Sequence, residues 1–414
     1  MLMRLGLCVL LWSLALAAGA AESTRNMPNV RAITAFVRIE RTDFSREFAE
    51  TKAVLDEAKA AFAARGYAVQ TERLVTQPLG ELVAGLSDAD ALELLKKLDA
   101  LAGEQGLALN VGPAMLHDAD DPRPMHLLAA SLAALEHTNA SAIIAADDGI
   151  HWKTIRESAA LVRRLADSPH SQGNFAFAAT AMLQPYAPFY PGAYHTGAGR
   201  QLSIGFEGAG IVQDVFARTH GDFDASVREL TAALTTHARA AEAVGEQVAK
   251  ARGWTFMGVD PTPAPLGDVS IGAAMEAWNG APFGGSGTMT AALVITTAVK
   301  AVAVKQVGYS GLMLPVLEDK RLSDRWREKT YGIDSLLAYS AVCGTGLDTV
   351  PLPGDIGEEQ LARIFTDVAS LAWKWHKPLT ARLQPVAGKQ AGERTDFGGP
   401  YLFNTTLQSL PPAH

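Results

Sequence analysis

The chain has 414 residues, of which 48% are hydrophobic and 19% are charged, and its formal net charge is −8. This composition excludes an intrinsically disordered chain and a coiled coil, and the negative charge excludes a polybasic protein that binds nucleic acid. A chain of this length can bury a large core, either in one α/β barrel or in two or three domains.

The first twenty residues have the pattern of a secretory signal peptide. Arg4 supplies a positive charge, residues 5–18 form an apolar run, and Ala18-Gly-Ala20 resembles a cleavage site. The run is shorter than the roughly 20 residues of a membrane-spanning helix. We therefore expect residues 1–20 to be a signal peptide, the mature chain to be periplasmic or secreted, and no permanent membrane anchor to be present. Cys8 would leave with this segment, and Cys343 alone cannot form an internal disulfide.

From residue 31 onward, short β-branched or aromatic runs alternate with stretches that have apolar residues at helical spacing. The predicted strands are 31–39, 67–76, 107–111, 141–145, 174–183, 201–206, 254–259, 309–317, 347–352 and 379–386. The predicted helices are 44–65, 86–105, 120–135, 153–166, 227–252, 288–304 and 358–375. Strands separated by helices are typical of a largely parallel sheet, and no Ser- or Pro-rich linker divides the chain. The expected fold is a single α/β domain, residues 21–414, with about ten strands and surrounding helices.

Several motifs of enzyme sites are absent or incomplete. The ten histidines show no zinc-ligand spacing, and no Walker loop occurs. The stretch Gly284-Gly-Ser286-Gly-Thr288 lacks the final glycine of a nucleophile elbow. The stretch Gly208-Ala-Gly210 lacks the third glycine of a dinucleotide fingerprint, which favours a plain strand–helix turn. We therefore expect no nicotinamide cofactor.

The densest group of loop carboxylates lies near predicted strand ends after residue 255. Asp260 follows strand 254–259, Glu318 and Asp319 follow strand 309–317, Asp348 lies at the start of strand 347–352, and Glu276 lies on a helix between them. Side chains beyond the carboxyl ends of parallel strands line the ligand crevice, and grouped carboxylates suit Mg²⁺, Mn²⁺ or Ca²⁺. We therefore expect these five to bind a divalent metal, with Asp260 and Glu318 as catalytic carboxylates. The alternative is that they cap helices or form salt bridges.

Two further features favour binding of an anion. A glycine-rich stretch opens the helix at 288, where free N–H groups attract negative charge, and Arg382 within an apolar strand needs an anionic partner or solvent. The expected substrate-binding residues are Gly285, Ser286, Gly287, Thr288, Arg382 and Lys389. The alternatives are a flexible turn and surface salt bridges. A third stretch, 189–195, places His195 beside aromatic residues, where a packing role is more common than that of a general base.

Taken together, these segments resemble the bacterial and archaeal domain-of-unknown-function family 711. The resemblance rests on the order of segments 174–179, 188–195, 202–207, 260–265, 270–276, 283–288, 309–319 and 377–394. It implies a fold similar to the ten-stranded α/β barrel of pyruvate formate-lyase-like glycyl radical enzymes. The radical chemistry is not implied, because Phe397-Gly-Gly-Pro-Tyr401 departs from the glycine loop of those enzymes and Cys343 stands alone. We therefore expect no glycyl radical.

Two functions remain open at this point. The first is a divalent-metal-dependent hydrolase of a small phosphorylated or carboxylated molecule, in which the cation activates water. The second is a non-catalytic periplasmic protein that binds a small ligand. Convergence of the five acids favours the first, and their dispersal favours the second. In both, the expected partner is a small anionic molecule, and a homo-oligomer is left open.

Overall fold

The computed structural model describes residues 27–168 and 173–411. The expected signal peptide therefore lies outside the described residues. Among the helices of the described ranges, none is both long enough and apolar enough to cross a bilayer.

In the described residues, ten strands form one mixed sheet. The strands are β1 (Asn29–Phe36), β2 (Val69–Val75), β3 (Ala108–Pro113), β4 (Thr138–Ala146), β5 (Gly149–Ile150), β6 (Phe177–Ala181), β7 (Gln201–Glu207), β8 (Thr255–Asp260), β9 (Gly346–Pro353) and β10 (Leu379–Val386). Their order is β8-β7-β1-β2-β3-β4-β6-β10-β9, and β5 pairs with β4. The five central strands, β1, β2, β3, β4 and β6, are parallel. The pair β7 and β8 lies on one side of them and the pair β10 and β9 on the other, and both pairs run antiparallel to the central strands. The expected α/β class with about ten strands is confirmed.

The sheet is barrel-like but does not close. Its edge strands are β8 and β9, and the segment between them reaches each edge through an isolated bridge. Val259 of β8 pairs with Gln306, and Pro315 pairs with Asp348 of β9. The expected barrel of about ten strands is confirmed, with an opening between β8 and β9.

The predicted strand over residues 309–317 is wrong. Ser310 has a φ of 46°, in the left-handed region, and Pro315 has no N–H to give to a ladder. The N–H groups of Tyr309 and Ser310 donate instead to the carboxylate of Asp260, at 2.8 and 3.1 Å. The buried carboxylate of Asp260 therefore accepts the N–H hydrogen bonds that a neighbouring strand would otherwise accept.

Helices cover the outer face of the sheet. In the described residues they are α1 (Phe44–Ala63), α2 (Leu79–Leu82), α3 (Asp88–Glu104), α4 (Arg123–Ser131), α5 (Trp152–Leu165), α6 (Ala209–Thr219), α7 (Phe223–Arg252), α8 (Ile271–Asn279), α9 (Thr288–Lys300), α10 (Lys320–Arg327), α11 (Ile333–Ser340) and α12 (Glu358–Trp375). In α1, Phe48, Leu55 and Phe62 recur every seven residues on one face and share a core cluster with Ile33 and Leu74 of the sheet. Burying each such side chain contributes about 1.5–3 kcal/mol, which fixes α1 against the sheet.

The opposite face of the sheet, which we call the inner face, is crossed by residues 183–196. Thr34 of β1 and Arg73 of β2 both donate to the carbonyl oxygen of Pro188, at 3.2 and 3.0 Å. Asn110 of β3 donates to the carbonyl oxygen of Pro191 at 2.6 Å. Three neighbouring strands thus hold this segment inside the curved sheet, where their polar side chains satisfy its backbone.

Candidate functional site

In the described residues, five buried charged side chains and the partly buried Arg31 lie together at the inner face. We call them the arginine cluster: Arg31 (β1), Arg73 (β2), Glu207 (β7), Glu318, Asp348 (β9) and Arg382 (β10). Each is exposed by 15% or less. Buried charges of this number are rare and need partners, because removing a charge from water is costly.

Two of the three arginines have carboxylate partners. Arg382 donates to Asp348 at 2.7 Å and also to Glu318. Arg31 donates to the other oxygen of Glu318 at 3.1 Å and to Glu207 at 3.4 Å. Glu318 therefore bridges two arginines, and the anionic partners of Arg382 come from the chain itself.

Backbone irregularities turn these side chains toward one another. Between β9 and β10, Asp348 and Thr349 together face the single residue Arg382, and Thr349 has a φ of 45°. A second irregularity lies at Arg31, where the pairing of β1 with β7 shifts register. Such bulges bend a strand and re-aim a side chain, here Asp348 and Arg31.

Burial and pairing act in opposite directions on these groups. Burial raises the pKa of Asp348, and the guanidinium of Arg382 works against that rise. Burial also disfavours the charged form of Arg382, but Asp348 and Glu318 outweigh it and hold the pKa of Arg382 above its ordinary value. Arg382 is therefore a fixed positive charge whose partners are already in place.

Arg73 differs from the other two arginines. Its Nε donates to Thr71 at 3.0 Å, one terminal nitrogen donates to the carbonyl of Pro188 at 3.0 Å, and its guanidinium lies 4.6 Å from the centre of the Tyr190 ring. Among the described residues, no carboxylate lies within salt-bridge distance of it. Burial, followed by the like charge of Arg31, lowers the pKa of Arg73 to about 10. Arg73 is therefore a buried cation without a counter-charge of its own.

Gln384 is a second group whose bonding capacity is unused. It lies two residues beyond Arg382 on β10, and alternate residues of a strand point to the same face. The neighbouring residues Ala381 and Leu383 point to the other face, where they pack into the core under the helices. Gln384 is fully buried, and neither its Oε1 nor its Nε2 has a hydrogen-bond partner in the described structure. An unpaired buried amide is costly and points to a water or ligand partner.

Asp260, expected as a catalytic metal ligand, holds a turn. Its carboxylate accepts hydrogen bonds from the N–H groups of Thr262, Tyr309 and Ser310, at 3.0, 2.8 and 3.1 Å, and from the Thr262 hydroxyl at 2.5 Å. Burial raises its pKa, against the effect of these hydrogen bonds. A Cβ on Gly308 would collide with the carboxylate, so glycine is required beside it. Asp260 is saturated by protein donors.

Asp319 has the same character at a different place. It accepts from the Ser270 hydroxyl at 2.6 Å and from the N–H groups of Ile271 and Leu322 at 2.7 and 3.0 Å. It therefore caps α10 and also receives the first free N–H of α8. Burial raises its pKa, again against its hydrogen bonds.

Glu276 lies on α8 toward the outside of the fold, with a side-chain exposure of 15%. Its carboxylate accepts from Arg325 at 2.6 Å and from the N–H of Phe283 at 2.9 Å, with Arg321 at 3.6 Å. It is an ion-pair partner within the α8–α10 region.

The five expected metal ligands therefore do not converge. Glu318 and Asp348 come together, but Arg382 lies between them as a counter-charge. Asp260, Glu276 and Asp319 each serve a separate turn or helix. Within the parts of the chain that the structure describes, no three His, Cys, Asp or Glu side chains are grouped so as to hold a metal. The geometry corresponds to the alternative of caps and salt bridges.

The expected anion-binding residues are also dispersed. Gly285, Ser286 and Gly287 form an exposed turn, and Thr288 is buried with its hydroxyl accepting from the N–H of Gly284 at 3.1 Å. No described contact joins this turn to Arg382. Lys389 lies at the surface, 3.7 Å from Asp396. Of the six residues, only Arg382 lies in the arginine cluster.

His195 is fully buried, as expected for a packing residue. It lies beside Tyr186, with ring centres 5.9 Å apart, and neither ring nitrogen makes a hydrogen bond of normal geometry with a described residue. Burial lowers the pKa of His195, and the side chain of Gln201 partly opposes this effect.

Sequence reasoning missed Arg31, Arg73, Glu207 and Gln384. The signal was present, because Arg73 lies inside the predicted strand 67–76 as Arg382 lies inside 379–386. A charge inside a buried strand needs a partner at Arg73 as it does at Arg382, but only Arg382 was predicted as a site residue. Nothing in the sequence separates Gln384 from a solvated amide.

Comparison with known proteins assigns the chain to a protein family. A family model described as "Uncharacterised ACR (DUF711)" matches residues 24–401. A UPF0210 protein of Pyrobaculum arsenaticum is 36% identical over 356 residues, covering 81% of this chain and 78% of its own. One of Corynebacterium glutamicum is 27% identical over 351 residues, covering 81% and 75%. Among solved structures, the anaerobic ribonucleotide reductase from Thermotoga maritima in complex with dATP and CTP is similar with a TM-score of 0.42 and 7% identity, covering 85% of this chain and 75% of that one. The chain thus belongs to the DUF711 family, as the order of its sequence segments implied.

Proposed function

We propose that the protein binds a small anionic molecule, a carboxylate or a phosphate, at the inner face of its sheet. The observation that carries the proposal is Arg73, a buried guanidinium with no carboxylate in reach among the described residues. Arg31 and Arg382 each have such a partner. An anion at Arg73 would supply the missing counter-charge.

The physical chemistry of Arg73 supports this ligand class. A buried charge without a partner destabilises a fold, and a charge-assisted hydrogen bond to an anion offsets that cost. The guanidinium fork suits the two oxygens of a carboxylate or phosphate. The unpaired amide of Gln384, two residues beyond Arg382 on the same face of β10, is a further unused donor and acceptor at the inner face.

Binding is favoured over metal-dependent hydrolysis. Hydrolysis of this kind needs carboxylates that converge on a cation, and Asp260, Glu276 and Asp319 are occupied at separate places. Calorimetric titration with Mg²⁺, Mn²⁺ and Ca²⁺ tests the alternative, and tight binding of any of them would restore it.

We also propose that binding takes place outside the cytoplasm, which N-terminal sequencing of the protein from its own cells tests.

The direct test is ligand-dependent thermal stabilisation. Acetate, succinate and inorganic phosphate are titrated against the wild type, and at least one is expected to raise Tm. A ligand at 100 times its Kd stabilises by about 2.7 kcal/mol. Arg73→Met is expected to remain folded, because it removes an uncompensated charge, and to lose the response. Arg46→Met, which changes an exposed arginine, is the matched control and should keep it. Equal responses in all three proteins would overturn the proposal.

A further inference from the structure

The arginine cluster contains equal numbers of positive and negative side chains. Its three arginines are matched in number by three carboxylates, those of Glu207, Glu318 and Asp348. A net charge added to a buried site has to leave water without a new partner, which is costly. A ligand that itself has no net charge leaves the balance of the cluster unchanged.

The two signs are separated within the cluster. Arg31 and Arg382 share all three carboxylates, so this part of the cluster has one negative charge in excess. The excess positive charge is on Arg73, which is 8% exposed. Burial, Arg31 and Tyr190 have the largest effects on the pKa of Arg73, and the charges of Glu318 and Arg382 also act on it through space. A positive group and an excess of negative charge therefore lie near each other at the inner face.

Both charged groups have atoms that are free to bind a ligand. Arg73 donates to Thr71 and to the carbonyl of Pro188, whereas its second terminal nitrogen, Nη2, donates to no described residue. Both contacts of Arg382 with Asp348 are made to Oδ1, at 2.7 Å, and Oδ2 accepts no hydrogen bond from a described residue. The cluster thus has an unused cationic donor and an unused anionic acceptor.

We infer that the ligand of the inner face is an amino acid in its zwitterionic form. Its carboxylate binds Arg73, and its ammonium binds the carboxylates of Asp348 and Glu318. This inference rests on the proposed function, from which it takes the carboxylate at Arg73, and it adds a positive group on the same molecule. An ammonium has three donors, and hydrogen bonds between charged groups are about twice as strong as neutral ones.

Three amino acids and the acids that lack their ammonium test the inference on the wild-type protein. Alanine and β-alanine are compared with propionate, and γ-aminobutyrate is compared with butyrate, so that the distance between ammonium and carboxylate varies. Calorimetric titration at pH 7 measures each Kd. At least one amino acid should bind about tenfold or more tightly than its matched acid, because a hydrogen bond to a charged group contributes about that much.

The outcomes separate this inference from the proposed function. If the amino acids bind no more tightly than propionate and butyrate, and Arg73→Met binds neither class, the inference is overturned and the proposed function stands. If the amino acids bind equally well to the wild type and to Arg73→Met, the carboxylate is not at Arg73 and both are overturned. Both are also overturned if none of these probes binds and acetate, succinate and phosphate leave Tm unchanged.

The variant Asp348→Asn locates the ammonium. It keeps the shape of the side chain, removes one negative charge and leaves Arg382 paired with Glu318. The preference for the amino acid over its matched acid should fall from about tenfold to near unity. Asp56→Asn, at an exposed carboxylate, is the matched control and should keep the full preference. A preference that is unchanged in Asp348→Asn would overturn the inference, and the comparison of probes on the wild type stands even if this variant does not fold.

Discussion

Replacement of Arg382 by methionine tests whether the arginine cluster is held by charge. Methionine keeps much of the volume of the arginine stem and removes the guanidinium. The substitution leaves Asp348 without its ion-pair partner, while Glu318 keeps Arg31 at 3.1 Å. Asp348 and Glu318 are only 5% and 4% exposed, so water does not readily replace the lost charge.

The expected cost follows from these distances. At an effective dielectric constant of about 20, two unit charges 2.7 Å apart, as in Arg382–Asp348, attract by about 6 kcal/mol. The desolvation of the guanidinium, which the variant no longer has to meet, offsets part of this. Breaking a buried pair by removing one partner typically costs about 3–5 kcal/mol, which we expect for Arg382→Met at pH 7. The exposed Arg46→Met should cost no more than about 1 kcal/mol.

The pH dependence distinguishes lost charge from lost packing. Burial already raises the folded-state pKa of Asp348, and Arg382 opposes that rise. Without Arg382, the folded state binds a proton at Asp348 more readily than the unfolded state does. A folded state that contains an acid of raised pKa becomes more stable relative to the unfolded state as pH falls. The difference in the free energy of unfolding between the variant and the wild type should therefore narrow from pH 7 toward about pH 4.

Urea unfolding followed by tryptophan fluorescence at pH 7 and at pH 4.5 measures both effects. The double variant Arg382→Met/Asp348→Asn should recover part of the loss, because the orphaned carboxylate is then neutral. A loss below about 1 kcal/mol at pH 7, outside the range for a buried pair, would refute the reasoning. An equal loss at the two pH values would refute it as well.

Two further predictions concern the acids and the buried histidine. Asp319→Asn should lower the free energy of unfolding by about 2–4 kcal/mol, because the new amide N–H₂ group then faces converging N–H donors. EDTA should leave the Tm of the wild type unchanged. A fall in Tm with EDTA would indicate a structural metal. His195→Leu should change stability by less than about 1 kcal/mol at pH 7, because neither ring nitrogen is hydrogen-bonded in the described structure. Burial lowers the folded-state pKa of His195 below the unfolded value of about 6.5, so the wild type loses stability as pH falls from 7 to 5 and the variant should lose less. A variant that is strongly destabilised at pH 7 would show that the imidazole has a bonded partner.

The regular elements were predictable because their periodicity is long. All seven predicted helices are present, with α12 matched at both ends, and nine of the ten predicted strands correspond to strands of the sheet. Ser87 caps α3 by accepting from the N–H of Asp90. The helices α2, α10 and α11 were not predicted, since four to eight residues carry little periodic signal.

The strand predicted over 309–317 failed for a tertiary reason. Its residues have strand propensity, but Asp260, fifty positions earlier, supplies the acceptor for the N–H groups of Tyr309 and Ser310. Long-range bonds of this kind leave no local pattern in the sequence. The same holds for Gln384, whose isolation is visible only once its neighbours are in place.

The acids after residue 255 show why residue type at a strand end is a weak indicator of a site. A strand end is where ligands bind in α/β folds, but it is also where the chain turns and exposes N–H groups that need acceptors. Asp260 and Asp319 meet that local need, so their positions are explained without a ligand. A buried arginine inside a strand has no such local use, because the backbone around it is already paired. The chain supplies an anion to Arg31 and Arg382 but none within salt-bridge range of Arg73 in the described residues. We therefore propose that the unmatched cation, rather than the excess of acids, marks the binding site of this fold.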